Sequence, residues 1–294
     1  MSAHWRSRIY NWLGHLVVHG VLVFVSLACF MPLMLIISAS FTNEKVLVRE
    51  GYRFVPSRLS TAGYDYVLTQ APSVVRAYGV TFFVTGVGSI CALLVMSLLA
   101  YSLSRKTLRL RKPLSFYVLF TLLFNGGLVP TYILISRFLH MRNTLQVLIL
   151  PIMVVPTYVL ILRTYFATLP EELLDAARID GAGEWRIFFR IALPLSTPAL
   201  ATIGLFCVLM YWNDWYLALL YIDDQRLYPL QYYLYTILSN LNYLSAGTEG
   251  LSVQPPAQSA RMALTVLSIG PIIFAALFAH KYFVRGLTLG GLRD

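Results

Sequence analysis

The sequence predicts an all-α polytopic membrane protein with six transmembrane helices and both termini on the inner side. Three observations predict it. Of 294 residues, 58% are hydrophobic and only 12% charged, against about 25% charged in a soluble domain. Six apolar stretches each approach or exceed the ~20 residues that a span needs. The basic residues are shared unequally between the connections, as the inward bias of Lys and Arg requires. Mean hydropathy is +0.68. A soluble globular enzyme and a disordered chain are both excluded.

The first fifteen residues carry Trp5, Ile9, Trp12 and Leu16 at i, i+4, i+7 and i+11. That is one face of a helix, with Arg6 and Arg8 off it, and it predicts an interfacial helix on the inner leaflet over residues 1–15. Residues 16–294 form the six-span domain. The spans are expected at about 16–37, 80–101, 114–134, 145–162, 196–216 and 263–283. The first is too long for a signal-peptide apolar region. Ser26-Leu27-Ala28-Cys29 resembles a lipoprotein cleavage box only loosely, because Ser26 stands where an aliphatic residue belongs.

Orientation follows from the connections. With the N-terminus inside, inner segments hold 14 of the 23 Lys and Arg residues. The stretch Arg105–Lys112 decides it, with five basic residues, no acid, and a span on either side. The net charge of +10 is therefore topological and does not point to nucleic acid. Cys29, Cys91 and Cys207 lie in apolar stretches and read as small core hydrophobes, with no disulfide framework or metal site.

Several chemistries are missing. The chain has no G-x-x-x-x-G-K-[ST] phosphate loop and no H-E-x-x-H. Gly86 and Gly88 sit inside the second span and suit close helix packing. An intramembrane protease would need a facing pair such as Ser89 and His280, yet His280 falls near the inner end of its span. An ion-coupled secondary transporter would carry ionisable groups in mid-membrane, whereas charges here sit at span ends, such as Arg163 and Asp214. No inverted repeat is visible.

The inner segment 168–195 is the most specific. Pro170 suits the first helical position, with Glu171 and Glu172 in the first turn, where the helix dipole favours acids. Leu173, Leu174, Ala176 and Ala177 propagate a helix. Asp180-Gly181 stops it, with Gly181 fitting a left-handed cap. A second short helix is expected over Glu184–Ile191 before Pro194 opens the fifth span. Its Trp185, Phe188 and Phe189 are apolar side chains that a loop does not expose without a partner. On physics alone, a membrane-lying connector fits equally well.

This segment resembles the EAA loop of ABC-importer permeases, E-A-A-x3-G-x9-I-x-L-P. The chain reads Asp175-Ala176-Ala177, three residues, Gly181, nine residues, then Ile191-Ala192-Leu193-Pro194. Only the first position departs, with Asp for Glu. The resemblance covers essentially the whole chain. Pro170–Ala182, Phe188 and Leu193-Pro194-Leu195 are similar to the carbohydrate, maltose-permease-like branch. Asn125–Tyr132, Trp212–Trp215, Tyr228–Gln231 and the Lys281–Asp294 tail resemble a subgroup that handles oligosaccharides and polysaccharide fragments, uronate-containing ones included. The resemblance implies the fold of a type I importer permease that does no catalysis. It implies a second permease subunit, two cytoplasmic ATPase subunits that bind ATP and Mg, and an extracytoplasmic solute-binding protein. It implies ATPase contact through Glu171, Asp175, Ala176, Ala177, Asp180, Gly181, Ala182, Phe188 and Pro194.

On the substrate side, Asn125 lies mid-span beside Gly126-Gly127 and five residues before Pro130. Pro151 and Pro156 interrupt the fourth span. Broken helices are tolerated where they line water or are buried in protein, so Asn125 either faces a pathway or caps a kink. Tyr211, Trp212, Asn213, Asp214, Trp215 and Tyr216 end the fifth span. An interfacial aromatic belt explains the rings but not Asn213 and Asp214; a sugar-facing wall explains both. The next connection, Ile222–Arg261, carries Tyr228, Tyr232, Tyr233, Tyr235, Asn240, Asn242 and Tyr243. It is expected to touch the second permease or the binding protein. No basic excess near Asn213 marks an anionic-sugar site.

Overall fold

Long, predominantly apolar stretches drive the longest helices. The structure, a computed structural model, describes residues 3–69, 71–247 and 258–273. Among these, no strand forms beyond a single bridge between Thr42 and Leu59. Helix α1 (Ala3–Ser40) runs unbroken through the N-terminal segment and the first expected span, with Pro32 inside it. The side chains of Trp5, Ile9 and Trp12 lie outside the described residues, so the expected interfacial face is not seen. Two helices are long and apolar enough to cross a membrane, Gly14–Ser40 and Pro72–Ser104, and up to five crossings result if each of three bent pairs is one span.

The chain divides into two compact units, Met1–Ala71 with Leu238–Ile269, and Pro72–Ile237 with Gly270–Asp294. In the first, α1 is followed by α2 (Glu44–Glu50), whose N-cap Asn43 accepts from the Lys45 amide. Helix α3 (Ala62–Thr69) then packs against the start of a helix over residues 258–273. A Cβ on Gly63 would lie 2.7 Å from the backbone of Ser259, so only glycine allows this approach. The carboxylate of Glu44 caps that same helix, accepting from the amides of Gln258 at 2.9 Å and Ser259 at 2.8 Å and from the Ser259 hydroxyl at 2.9 Å. The expected sixth span is described only as far as residue 273. His280 and the Lys281–Asp294 tail lie outside the described residues.

The second unit opens with α4 (Ala71–Ser104), longer than the expected second span. Gly88 meets the ring of Tyr211, to which an added Cβ would stand 2.8 Å away. That is the close packing expected of it; Gly86 has no such neighbour. The expected third span is not one straight helix. It divides into α5 (Arg111–Leu123) and α6 (Leu128–Ile133), the latter continuing as a π-helical turn to Phe138, with a bend of 112° between. Gly127 adopts φ +85° at the break, a conformation costly to any side chain with a Cβ. The fourth segment is two 3-10 turns, Leu145–Leu148 and Leu150–Ile152, bent by 53° from α7 (Pro156–Ala167). Pro151 and Pro156 break it because neither can donate the hydrogen bond a helix interior needs.

Helices α8 (Glu171–Ile179) and α9 (Glu184–Ile187) follow. The second is shorter than expected as an α-helix, yet it continues as a π turn, Phe188–Ala192, and a final turn α10 (Leu193–Leu195). Pro194 thus ends this piece and does not open the next. The widened turn suits a proline that has no N–H to return to the carbonyl one turn back. The bend falls at Ser196, by 84°, before α11 (Thr197–Asn213). Helices α12 (Tyr216–Tyr221) and α13 (Leu230–Gly247) complete the described order up to the helix over residues 258–273. The core of this unit gathers Met96, Ala100, Leu103, Leu148, Leu162, Phe166, Ile203 and Tyr211.

Candidate functional site

Helix α8 shows why the loop motif has its spacing. Pro170 is the N-cap, one residue earlier than expected, and Glu171 and Glu172 occupy the first turn. At the other end Gly181 adopts φ +80°. The Gly181 amide donates to the Arg178 carbonyl at 3.0 Å, and the Ala182 amide donates to the Ala177 carbonyl at 2.9 Å. This pair of bonds is the Schellman closure. Ala177 and Gly181 are its terms, so the four-residue step between them is set by backbone hydrogen bonding. Both Ala177 and Ala182 pack inward against the core, while Ala176 stays exposed.

Charge then ties the two short helices together. Arg178 Nη1 meets Asp175 Oδ1 at 2.7 Å, and its Nη2 meets Glu184 Oε1 at 3.0 Å. These hydrogen bonds, first that to Glu184, hold the Arg178 guanidinium above its ordinary pKa. The Tyr101 hydroxyl takes the second Glu184 oxygen at 3.1 Å. Arg105 lies over the Tyr101 ring, 4.9 Å from its centroid, and donates to the Phe166 carbonyl at 2.7 Å. Burial pushes the Arg105 pKa down. Lys106 pairs with Glu171 at 3.0 Å. A shallow concavity of about 160 Å³ lies between Arg105, Lys106, Glu171, Asp175 and Arg178.

Apolar anchors fix this charged frame. Leu174 and Phe188 are each 1% exposed. Phe188 sits 5.2 Å from Tyr101 and 6.4 Å from Phe166, ring to ring. Phe188 therefore faces inward and holds the loop. The outward apolar surface belongs to other residues: Ile179 is 86% and Trp185 68% exposed, with Leu173 and Phe189 beside them. Trp185 and Phe189 stack on each other. Asp175, Asp180, Gly181 and Pro194 are exposed.

Asn125 lies at the break between α5 and α6. Its side-chain oxygen accepts from the Gly127 amide at 2.9 Å, and Thr131 caps the same turn through the Gly127 carbonyl at 2.7 Å. It supports the kink directly. The six residues at the end of α11 separate into two groups. Tyr211 and Trp212 are buried. Tyr211 donates to the Ile149 carbonyl at 2.9 Å, and Trp212 meets the edge of Phe82. Asn213 is exposed and donates back to the Leu209 carbonyl at 2.8 Å. The Asp214 carboxylate accepts from the Tyr216 and Leu217 amides. Trp215 keeps an exposed ring, stacked 5.1 Å from Tyr235, and Tyr235 continues into Tyr232 and Tyr228.

Sequence reasoning missed Tyr101, Arg105 and Lys106, which it took only as the end of a span and a topological charge. It also missed Asn143, which clamps the loop after α12. Asn143 accepts from the Asp223 amide at 2.6 Å while its own amide meets the Tyr221 carbonyl at 3.0 Å. Asn143 has φ +55°; asparagine tolerates this conformation, which is only a weak signal in a sequence.

Together these features describe a helical membrane subunit with a compact two-helix loop that turns apolar side chains outward. Residues 97–289 match the family described as binding-protein-dependent transport system inner membrane component, and the chain belongs to that family. It is 34% identical to the polygalacturonan/rhamnogalacturonan transport system permease protein YtcP of Bacillus subtilis (strain 168), over 96% of this chain and 99% of that one. It is 37% identical to protein LplC of the same organism, over 90% and 89%. Its fold is similar to a chain of a bacterial ABC transporter involved in the import of the acidic polysaccharide alginate. The TM-score is 0.81 at 27% identity, covering 93% of this chain and 98% of that one. The chain is thus a non-catalytic ABC permease of the bacterial inner membrane with the type I importer fold, and ATP hydrolysis belongs to a partner ATPase.

Proposed function

We propose that the chain is one of two different permease subunits of an ATP-driven importer for oligosaccharides or polysaccharide fragments, uronate-containing ones among them. The relatives named above support the substrate class. The domain comprises six spans with both termini inside, as the 14 inner basic residues argue, and residues 1–15 lie along the inner leaflet ahead of it. The two ATPase subunits hold ATP and Mg, and a binding protein delivers the sugar from outside.

One observation carries the mechanism. The folded knob of α8 and α9 turns Leu173, Ile179, Trp185 and Phe189 outward, while Arg178 and Glu184 make it rigid. A rigid apolar knob on a short stalk suits a groove on a moving ATPase. Glu171, Asp175, Ala176, Ala177, Asp180, Gly181, Ala182 and Pro194 make or shape that contact, and Phe188 holds it from within. Closure of the ATPases pushes the knob, and the bends at Asn125–Gly127 and Ser196 let the spans respond by alternating access. Trp215 and Tyr235 offer rings for the apolar faces of a sugar, and Asn213 a hydroxyl partner.

Ala176→Trp and Ile179→Asp, both at exposed positions of the knob, test the coupling. Both are expected to leave the complex assembled while loaded binding protein no longer stimulates hydrolysis or transport. Full stimulation in both variants would overturn the assignment of this knob.

A further inference from the structure

The connection between α4 and α5 bears a second cavity, unrelated to the knob's apolar face. It measures about 600 Å³ and is lined by Lys106, Arg109, Arg111, Lys112 and Arg163, with Ser115 and no carboxylate. Three elements supply these cations: the 105–110 connection, the first turn of α5, and α7. Lys106 is paired with Glu171. Among the described residues the other four make no ion pair. The Ser115 hydroxyl is shielded from solvent and finds no hydrogen-bond partner there. The inward bias of basic residues places charges on this side of a membrane, but it does not gather five of them around one hollow.

The helix adds to the imbalance. Helix α5 begins with Arg111 and Lys112, has no acid in its first turn, and gains no side-chain bond from its N-cap Leu110. Cations at the positive end of a helix dipole are unfavourable, and a bound anion relieves both charges together. Lys112, Phe116 and Phe120 then follow at steps of four residues, one row along the helix, and Phe124 stands at its C-cap. The three rings are exposed, with successive centroids 6.2 and 4.6 Å apart. A cationic hollow continued by an apolar row matches an amphiphile with an anionic head and an acyl chain. A free phosphate has no use for the row, and an acidic protein surface would answer the cations but not the row.

We infer that this cavity binds the headgroup of an anionic phospholipid. The phosphate lies among Arg109, Arg111, Lys112 and Arg163, and one acyl chain runs along Phe116, Phe120 and Phe124. Basic hollows between spans on the inner side are suited to such headgroups.

The test uses the complete transporter, purified with its ATPase and second permease. Phosphatidylglycerol retained per complex is counted by native mass spectrometry under competition from phosphatidylcholine. The triple variant R109Q/K112Q/R163Q is expected to retain at least about tenfold less phosphatidylglycerol, each cation contributing up to about fivefold. Phosphatidylcholine retention should stay level. The double variant F116A/F120A leaves the cations in place and is expected to lose retention by a smaller factor. Inorganic phosphate should fail to displace the lipid. Undiminished retention in either variant overturns the inference, as does displacement by phosphate alone, which would mark a small-anion site. Loss of the ATPase from the triple variant with the lipid still bound overturns it too, making the cavity a protein-docking surface.

Discussion

The hydroxyl of Tyr101 donates to Glu184 Oε2 at 3.1 Å, joining the C-terminal end of α4 to the first residue of α9 across 83 positions of sequence. Arg178 takes the other oxygen of the same carboxylate at 3.0 Å. One glutamate therefore binds the knob to itself and to a long membrane helix. Two hydrogen bonds and the Tyr101, Phe166 and Phe188 ring cluster thus connect α8 to α4.

Tyr101→Phe separates these two paths. The ring contacts remain, at 5.8 Å to Phe166 and 5.2 Å to Phe188. The Glu184 side chain is 57% exposed, so water screens the lost bond and the stability cost is about 0.5–1 kcal/mol. The expected effect on transport is larger than on melting. Sugar moved per ATP hydrolysed should fall in reconstituted vesicles while the complex melts within about 4 °C of the parent. An unchanged ratio would show that the ring cluster alone carries the motion.

Gly181 makes a graded test. Its φ of +80° penalises a Cβ, but apart from its own chain neighbours nothing lies within 4 Å of where one would stand. Gly181→Ala is therefore expected to cost about 1 kcal/mol from backbone strain alone. Gly181→Asn should cost less, because asparagine tolerates this conformation. The order Gly, Asn, Ala in thermal melting of the purified complex checks it.

The knob was legible because its signals are local. Pro170, the acids of the first turn, and Asp180-Gly181 act within a few residues, and backbone hydrogen bonds enforce their spacing. The kink at Asn125-Gly126-Gly127 was legible in part: the glycines and Pro130 announced a break, but not its 112° bend. Three things were not legible. Phe188 and Trp185 are both aromatic on one short helix, and only the packing of α4 and α7 decides that the first turns in and the second out. The Tyr101–Glu184 bond is a meeting of distant side chains with no periodicity to betray it. Tyr211 and Trp212 fit an interfacial belt or a wall for substrate, yet Gly88 and Phe82 on α4 draw both into the core.

The contact of Gly88 with Tyr211 predicts a steep cost for one methyl. In Gly88→Ala the new carbon would stand 2.8 Å from the ring. The ring cannot swing away, because its hydroxyl is tied to Ile149 at 2.9 Å. Overpacking of this kind costs about 1–3 kcal/mol. Gly204→Ala is the contrast, since its nearest neighbour is the end of the Leu93 side chain at 3.4 Å, and melting should barely move. Tyr211→Phe removes the tether and its hydrogen bond to the Ile149 carbonyl, at about 0.5–1.5 kcal/mol. Combining it with Gly88→Ala should cost less than the sum, because an untied ring yields to the methyl.

Glu44 tests the capping of the helix over residues 258–273. Its carboxylate accepts three hydrogen bonds there, from two amides and the Ser259 hydroxyl. Glu44→Ala leaves those amides without their side-chain acceptor and is expected to cost about 1–2 kcal/mol. Glu44→Gln keeps one acceptor oxygen but loses the charge that the helix dipole favours, a share of about 0.3–1 kcal/mol. That share is electrostatic and is screened by salt. The gap in melting temperature between the parent and Glu44→Gln should therefore narrow as salt rises, while the gap between Glu44→Gln and Glu44→Ala should hold. Equal melting of all three proteins at low salt would show that the helix start is held by the close approach of Gly63 to Ser259 and not by the glutamate.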